Sequence, residues 1–223
     1  MKKHIPNLAT LGNLLSGVIG IVWVSEGAFA LGAYMILLGN LFDFFDGLLA
    51  RLLKVSSPIG KELDSLADLV TFGVLPSLML YFMAPTDSLL KFGVFVMAAA
   101  AAYRLAKFNL DTRQSEHFIG IPTPLNALVV ASLPFIFEKA DWLPQQSALL
   151  WILLGIAWLM SILMVSELPL LSLKFKELSW QGNQARFVFL GISLALVIGL
   201  QFVAVPLILV AYLLCSQWYF RSK

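Results

Sequence analysis

Four aspartates, Asp43, Asp46, Asp64 and Asp68, lie in the 26-residue stretch "DFFDGLLARLLKVSSPIGKELDSLAD" of a chain that is otherwise 60% hydrophobic and only 13% charged. Asp43 and Asp46 are three apart and Asp64 and Asp68 four apart, so on helices each pair projects from one face. The connecting "LLKVSSPIGKE" (52–62) carries Ser56, Ser57, Pro58 and Gly60, the residues of a turn. Two antiparallel helices joined there bring the four carboxylates together. A carboxylate placed within a membrane costs about 2.5 to 3.5 kcal/mol, and four of them also repel one another. A bound cation offsets both penalties. Carboxylate oxygens suit hard ions such as Mg²⁺, Mn²⁺ or Ca²⁺, and Mg²⁺ is commonly shared between carboxylates and substrate phosphates. The competing arrangement is a solvated network in which the aspartates pair with Arg51, Lys54 and Lys61, and spacing alone leaves both open.

The elements that position these residues follow from composition. With about half the charge of an ordinary soluble domain, the chain is expected to be an all-α integral membrane protein. Spans of about 17 to 25 apolar residues give eight candidate transmembrane helices, at Leu8–Val24, Ala28–Arg51, Leu63–Ala84, Leu90–Phe108, Pro122–Phe137, Ala148–Val165, Phe187–Gln201 and Val205–Phe220. The last 34 residues of that set would form about 51 Å of helix, too long for one crossing, so a turn is expected at Gln201 to Pro206. With eight spans and the N-terminus inside, 13 of the 15 Lys and Arg residues fall on the cytoplasmic side, leaving Lys91 and Lys139 outside. Seven spans would move Arg221 and Lys223 outside as well. This predicts a multi-pass protein of the cell membrane with both termini and the aspartate hairpin at the cytoplasmic surface. The opening also has the outline of a secretory signal, but Asn7, Thr10, Asn13 and Ser16 recur at three-residue steps along one helical face and argue for a retained span. No composition shift, linker or repeat divides residues 1–223, which reads as a single polytopic domain. The lone Cys215 excludes an internal disulfide, and a net charge of +2 with scattered basic residues gives no reason to expect nucleic acid. "SLKFKELSW" (172–180) is compatible with a short amphipathic helix on lipid headgroups or with an ordinary loop.

Written as a pattern, residues 43–68 are D-x2-D-G-x2-A-R-x8-G-x3-D-x3-D, with eight fixed positions. This resembles the signature of the CDP-alcohol phosphatidyltransferases, membrane enzymes that pass a phosphatidyl group from CDP-diacylglycerol to an alcohol. "IPNLATLGNLLSG" (5–17), "DSLADLVTFGVLPS" (64–77), "YRLAKFN" (103–109), "FIGIPTP" (118–124) and "LMVSELP" (163–169) resemble the phosphatidylserine synthase branch. Ser65 and Leu69 stand where the phosphatidylglycerophosphate branch has proline and lysine. The resemblance implies two divalent cations, Mg²⁺ or Mn²⁺, held by Asp43, Asp46, Asp64 and Asp68, with Asp68 also the general base. It implies a cytidine diphosphate pocket lined by Gly47, Ala50, Arg51 and Gly60, which Asn7 and Thr10 can reach. Homodimers are common in the family.

The expected reaction is attack by the L-serine hydroxyl on the phosphorus bearing diacylglycerol, giving phosphatidylserine and CMP while the tails stay among the membrane lipids. Serine's carboxylate needs cationic or donor groups, and Arg104, Lys107, Asn109 and Thr123 are the candidates. Glycerol 3-phosphate or inositol phosphate as acceptor would call for a richer basic cluster. A transporter would place its ionisable groups near the midplane between repeated halves, whereas these aspartates crowd into one hairpin at one face.

Overall fold

The computed structural model describes residues 4–55, 57–110, 118–139, 146–171 and 183–221. The segment 172–180 and the basic residues Arg113, Lys174 and Lys176 lie outside them. Among the described residues the chain forms eight helical rods. The first is α1 (Ile5–Ser25), with Pro6 in its first turn, and the second is α2 (Phe29–Leu53). Pro58 opens α3 (Pro58–Asp68), where the Ser57 hydroxyl accepts from the Gly60 N–H at 2.9 Å and caps the helix. The rod then passes through a π-helical segment, Leu69–Val74, into α4 (Leu75–Met83). A 3₁₀ segment, Leu89–Phe95, leads into α5 (Val96–Leu110), followed by α6 (Thr123–Glu138) and α7 (Gln146–Val165). The last two are α8 (Gln184–Leu200) and α9 (Val205–Arg221).

Among the described residues five stretches are long and apolar enough to cross a membrane, namely Ile5–Ser25, Pro58–Met83, Leu89–Leu110, Ala148–Val165 and Gln184–Arg221. Large apolar side chains such as Trp151, Ile162, Leu194 and Ile198 are exposed on the outside of the rods. Surfaces of that kind belong against hydrocarbon rather than water, and the protein is an all-α, multi-pass membrane protein. The longest stretch, 38 residues, reverses at Gln201, whose φ of 51° ends α8. Phe189 then meets Tyr212 with ring centroids 5.3 Å apart, and Arg186 lies 5.3 Å from the Tyr219 ring, so α8 and α9 pack as an antiparallel hairpin. The third rod starts at Pro58, five residues before the expected Leu63.

Side-chain pairs give the rod directions. Thr10 meets Asp46, while Gly20 abuts Met35 and Gly32 abuts Val24, so α1 and α2 are antiparallel. Asn13 meets Asp68 and Gly20 meets Leu75, so the third rod runs parallel to α1. Gly17 of α1 and Gly39 of α2 both press against Thr71 of the π segment, the close approach that small residues permit between membrane helices. α6 starts at the same end as the aspartates, beside the last turn of α7, where the Ile121 N–H donates to the Leu163 carbonyl at 3.0 Å. Its far end meets α2 near the opposite surface, where Phe135 lies 5.8 Å from Tyr34.

One feature that helical periodicity did not predict is a two-residue antiparallel bridge, β1 (Phe118–Ile119) with β2 (Pro169–Leu170). It ties the "FIGIPTP" and "LMVSELP" segments together. Gly120, at φ +69°, is required there, because a Cβ would lie 2.5 Å from the Met164 carbonyl oxygen.

Candidate active site

The aspartate end of α2 and the start of the third rod are brought side by side by the turn at 54–57. Lys54 closes α2 in the left-handed conformation, with its N–H on the carbonyls of Ala50 and Arg51. Asp43, Asp64 and Asp68 each present a carboxylate oxygen within 4.8 Å of the others, with Asp68 buried and the other two partly so. Asp46 is set slightly apart, with its Oδ2 accepting from the Thr10 hydroxyl at 2.7 Å. None of the four pairs with Arg51, Lys54 or Lys61 among the described residues, and the Lys61 ammonium donates instead to the Asn109 carbonyl at 2.8 Å. The structure therefore disfavours the solvated ion-pair network.

These groups fit a divalent cation. Asp64 Oδ1 is buried with no hydrogen-bond partner among the described residues, a costly state for an acceptor unless something positive meets it. Three converging carboxylates are a hard-oxygen donor set of the kind Mg²⁺, Mn²⁺ and Ca²⁺ take.

A cavity of about 210 Å³ opens beside the cluster, walled by Asp46 and Asp64 and by Asn7, Thr10, Gly47, Ala50, Ser57 and Gly60. Five of the six positions proposed for the nucleotide from sequence thus surround one space. The sixth, Arg51, points a guanidinium nitrogen to within 3.5 Å of where a Cβ on Gly47 would stand, one turn away. Gly60 is there because of close approach, since a Cβ would press on Ser57 Oγ at 2.9 Å and on Asn7 Oδ1 at 3.1 Å.

The four acceptor candidates sit at the same end, but three have other partners. Arg104 is buried, and its Nη1 donates to the carbonyls of Ile119 at 2.8 Å and Met164 at 2.9 Å. It fastens α5 to β1 and to the last turn of α7. Lys107 pairs with Glu167 at 3.3 Å, and the Asn109 amide donates to the Ser65 hydroxyl at 2.9 Å. Thr123 is buried at the start of α6.

One residue of the site was not singled out by sequence. Asn13 is fully buried and donates Nδ2–H to Asp68 Oδ1 at 2.9 Å. Its backbone carbonyl accepts from the Thr71 hydroxyl at 2.9 Å. The three-residue polar stripe of α1 was its signal, and that stripe faces the carboxylates.

An all-α membrane bundle with a carboxylate cluster next to a cavity of about 210 Å³ at one helix end defines the class. The family model described as CDP-alcohol phosphatidyltransferase matches residues 3–163, and the chain belongs to that family. A Helicobacter pylori J99 protein named CDP-diacylglycerol--serine O-phosphatidyltransferase is 36% identical over 200 residues, 86% of this chain and 80% of the relative. A Bacillus subtilis protein of the same name is 35% identical over 61% of this chain and 78% of its own length. One from Saccharomyces cerevisiae is 38% identical over 48% of this chain and 42% of its own.

Proposed function

We propose that the protein transfers the phosphatidyl group of CDP-diacylglycerol to the hydroxyl of L-serine, forming phosphatidylserine and CMP. The observation that carries this reading is the convergence of Asp43, Asp64 and Asp68 beside the cavity walled by Asp46, Gly47, Ala50 and Gly60. The names of the relatives supply serine as the acceptor. In this reading the chain is one domain of eight membrane crossings and acts as a homodimer. Its termini and aspartate end are cytoplasmic, as the distribution of Lys and Arg favours.

Asp43, Asp46, Asp64 and Asp68 would hold two divalent cations, Mg²⁺ or Mn²⁺, which when bound neutralise charge on the phosphates and on the entering and leaving oxygens. Phosphoryl transfer asks the protein mainly for alignment. The cavity residues Asn7, Thr10, Gly47, Ala50 and Gly60 hold the cytidine diphosphate end, with Arg51 presenting its planar fork to a phosphate. Asp68 takes the proton of the attacking serine hydroxyl. Its Oδ1 accepts from Asn13, which fixes the orientation of the carboxylate for that transfer. Serine enters from the α5–α6 end, where Thr123 is buried at the start of α6, Arg104 fixes the surrounding backbone and adds positive charge, and Lys107 and Asn109 line the approach. The acyl chains stay in the bilayer because the chemistry occurs at a helix end.

The test is CMP release from CDP-diacylglycerol by the purified protein with Mg²⁺ or Mn²⁺, comparing L-serine, glycerol 3-phosphate, inositol and inositol phosphate. Release that requires L-serine and is abolished by EDTA is the expected result. Release with another acceptor would overturn the serine assignment while leaving the metal reading standing, and release that persists in EDTA would overturn the metal reading.

A further inference from the structure

Asn126 lies on α6, one turn beyond Thr123, and is fully buried. Among the described residues neither its amide nitrogen nor its carbonyl oxygen has a hydrogen-bond partner. A buried carboxamide with both ends unpaired carries a desolvation penalty, so the native structure retains it only for a reason.

Its depth in the bundle supplies that reason. α2 and α6 are antiparallel, and their far ends meet where Tyr34 packs on Phe135. Nine residues from that contact toward the aspartate end, α2 reaches Asp43 and α6 reaches Asn126. Both helices advance at the same rise, about 1.5 Å per residue, so the two residues lie at one level to within about a turn. α1 gives the same level from the other side. Gly12 abuts Phe42, and the next residue, Asn13, holds Asp68. The unpaired amide therefore stands at the depth of the carboxylate cluster, on a helix packed against both α2 and the π segment that follows Asp68.

We propose that Asn126 is a specificity-determining residue for the acceptor, gripping the amino-acid end of L-serine. Nδ2–H donates to the serine carboxylate and Oδ1 accepts from its ammonium, leaving the hydroxyl directed at the cluster. A carboxamide offers one donor and one acceptor side by side, the complement of a zwitterion. A phosphate-bearing acceptor would place oxygen lone pairs against Oδ1, so the same residue selects against it. This inference rests on the serine-transfer reading above.

The experiment uses the full chain purified in lipid nanodiscs and measures CMP release by wild type, Asn126→Ala and Asn126→Leu over a range of L-serine, with ethanolamine as an acceptor lacking the carboxylate. The expected result is a KM for L-serine raised roughly tenfold or more in both variants. The KM for CDP-diacylglycerol should stay within about twofold, and the preference for serine over ethanolamine should shrink. The melting temperature should hold or rise, because an unpaired polar group has been removed. An unchanged serine KM overturns the proposal. So does an equal loss for both substrates with a lowered melting temperature, or failure of both variants to fold, since each marks Asn126 as structural. Wild-type protein that releases no CMP with L-serine defeats the underlying reading instead, and the two failures are thereby distinguished.

Discussion

Asn13 and Asp68 are joined by a 2.9 Å hydrogen bond that links the first helix to the last aspartate of the signature, 55 residues away. The Asn13 backbone is itself pinned by the Thr71 hydroxyl, so the amide does not drift when the carboxylate moves. Alignment of a reacting group is worth far more than the strength of the bond that provides it. Asn13→Leu is expected to lower kcat roughly 10- to 100-fold while the KM for CDP-diacylglycerol changes little. Initial rates against each substrate check this. A retained kcat with a lowered melting temperature would assign Asn13 to packing alone.

Asp68→Asn separates chemistry from architecture. The asparagine carbonyl oxygen still accepts from Asn13, so the hydrogen bond between α1 and the third rod survives. The variant is expected to fold and to bind nucleotide but to lose turnover by at least about 10² to 10⁴-fold, since it removes the general base together with one charged ligand of the cation site. CMP release at saturating substrates, with thermal melting as the control, measures it. A rate near wild type would remove Asp68 from the base role.

Arg104 gives the opposite signature. One guanidinium nitrogen bridges two carbonyls from segments 45 residues apart, Ile119 and Met164, and the shorter lysine stem sets its ammonium back from that point. Arg104→Lys is expected to cost about 1 to 3 kcal/mol, lowering the melting temperature by several degrees at this chain length. The serine KM of the folded fraction should change less than about threefold, far short of what losing a direct contact costs. A raised serine KM without a stability change would return Arg104 to acceptor binding.

Local features were legible in the sequence. Spacings of three and four placed each aspartate pair on one face, and Ser56, Ser57, Pro58 and Gly60 marked the turn between them, although the helix begins inside that stretch, at Pro58, and not at Leu63. Gln201 and Pro206 marked the break before α9. All of these depend on residues within a turn or two of one another. The partners of those faces were not legible, because they arrive from 36 to 60 residues away: Thr10 on Asp46, Asn13 on Asp68, and Arg104 on the carbonyl of Met164. Backbone acceptors have no sequence signature, so a buried arginine reads the same whether it grips a substrate or two carbonyls. The β1–β2 bridge is too short for alternation to show, and the π segment sits within a helical pattern that continues on both sides. Asn126 is one polar residue in an apolar helix, and nothing local to it signals its burial.

The interlock of α1, α2 and the π segment also dictates an order of assembly in the membrane. Every contact described here that holds the carboxylates in place, from Thr10 and Asn13 to Thr71, lies within the first 71 residues. As the chain emerges, Thr10 finds its partner when α2 arrives, but the Asn13 amide stays unpaired in the apolar phase until the third rod is inserted. That gives the first three rods a driving force to gather before the rest of the polypeptide is made. The later helices then dock onto carboxylates already gathered and add the wall that carries Thr123 and Asn126.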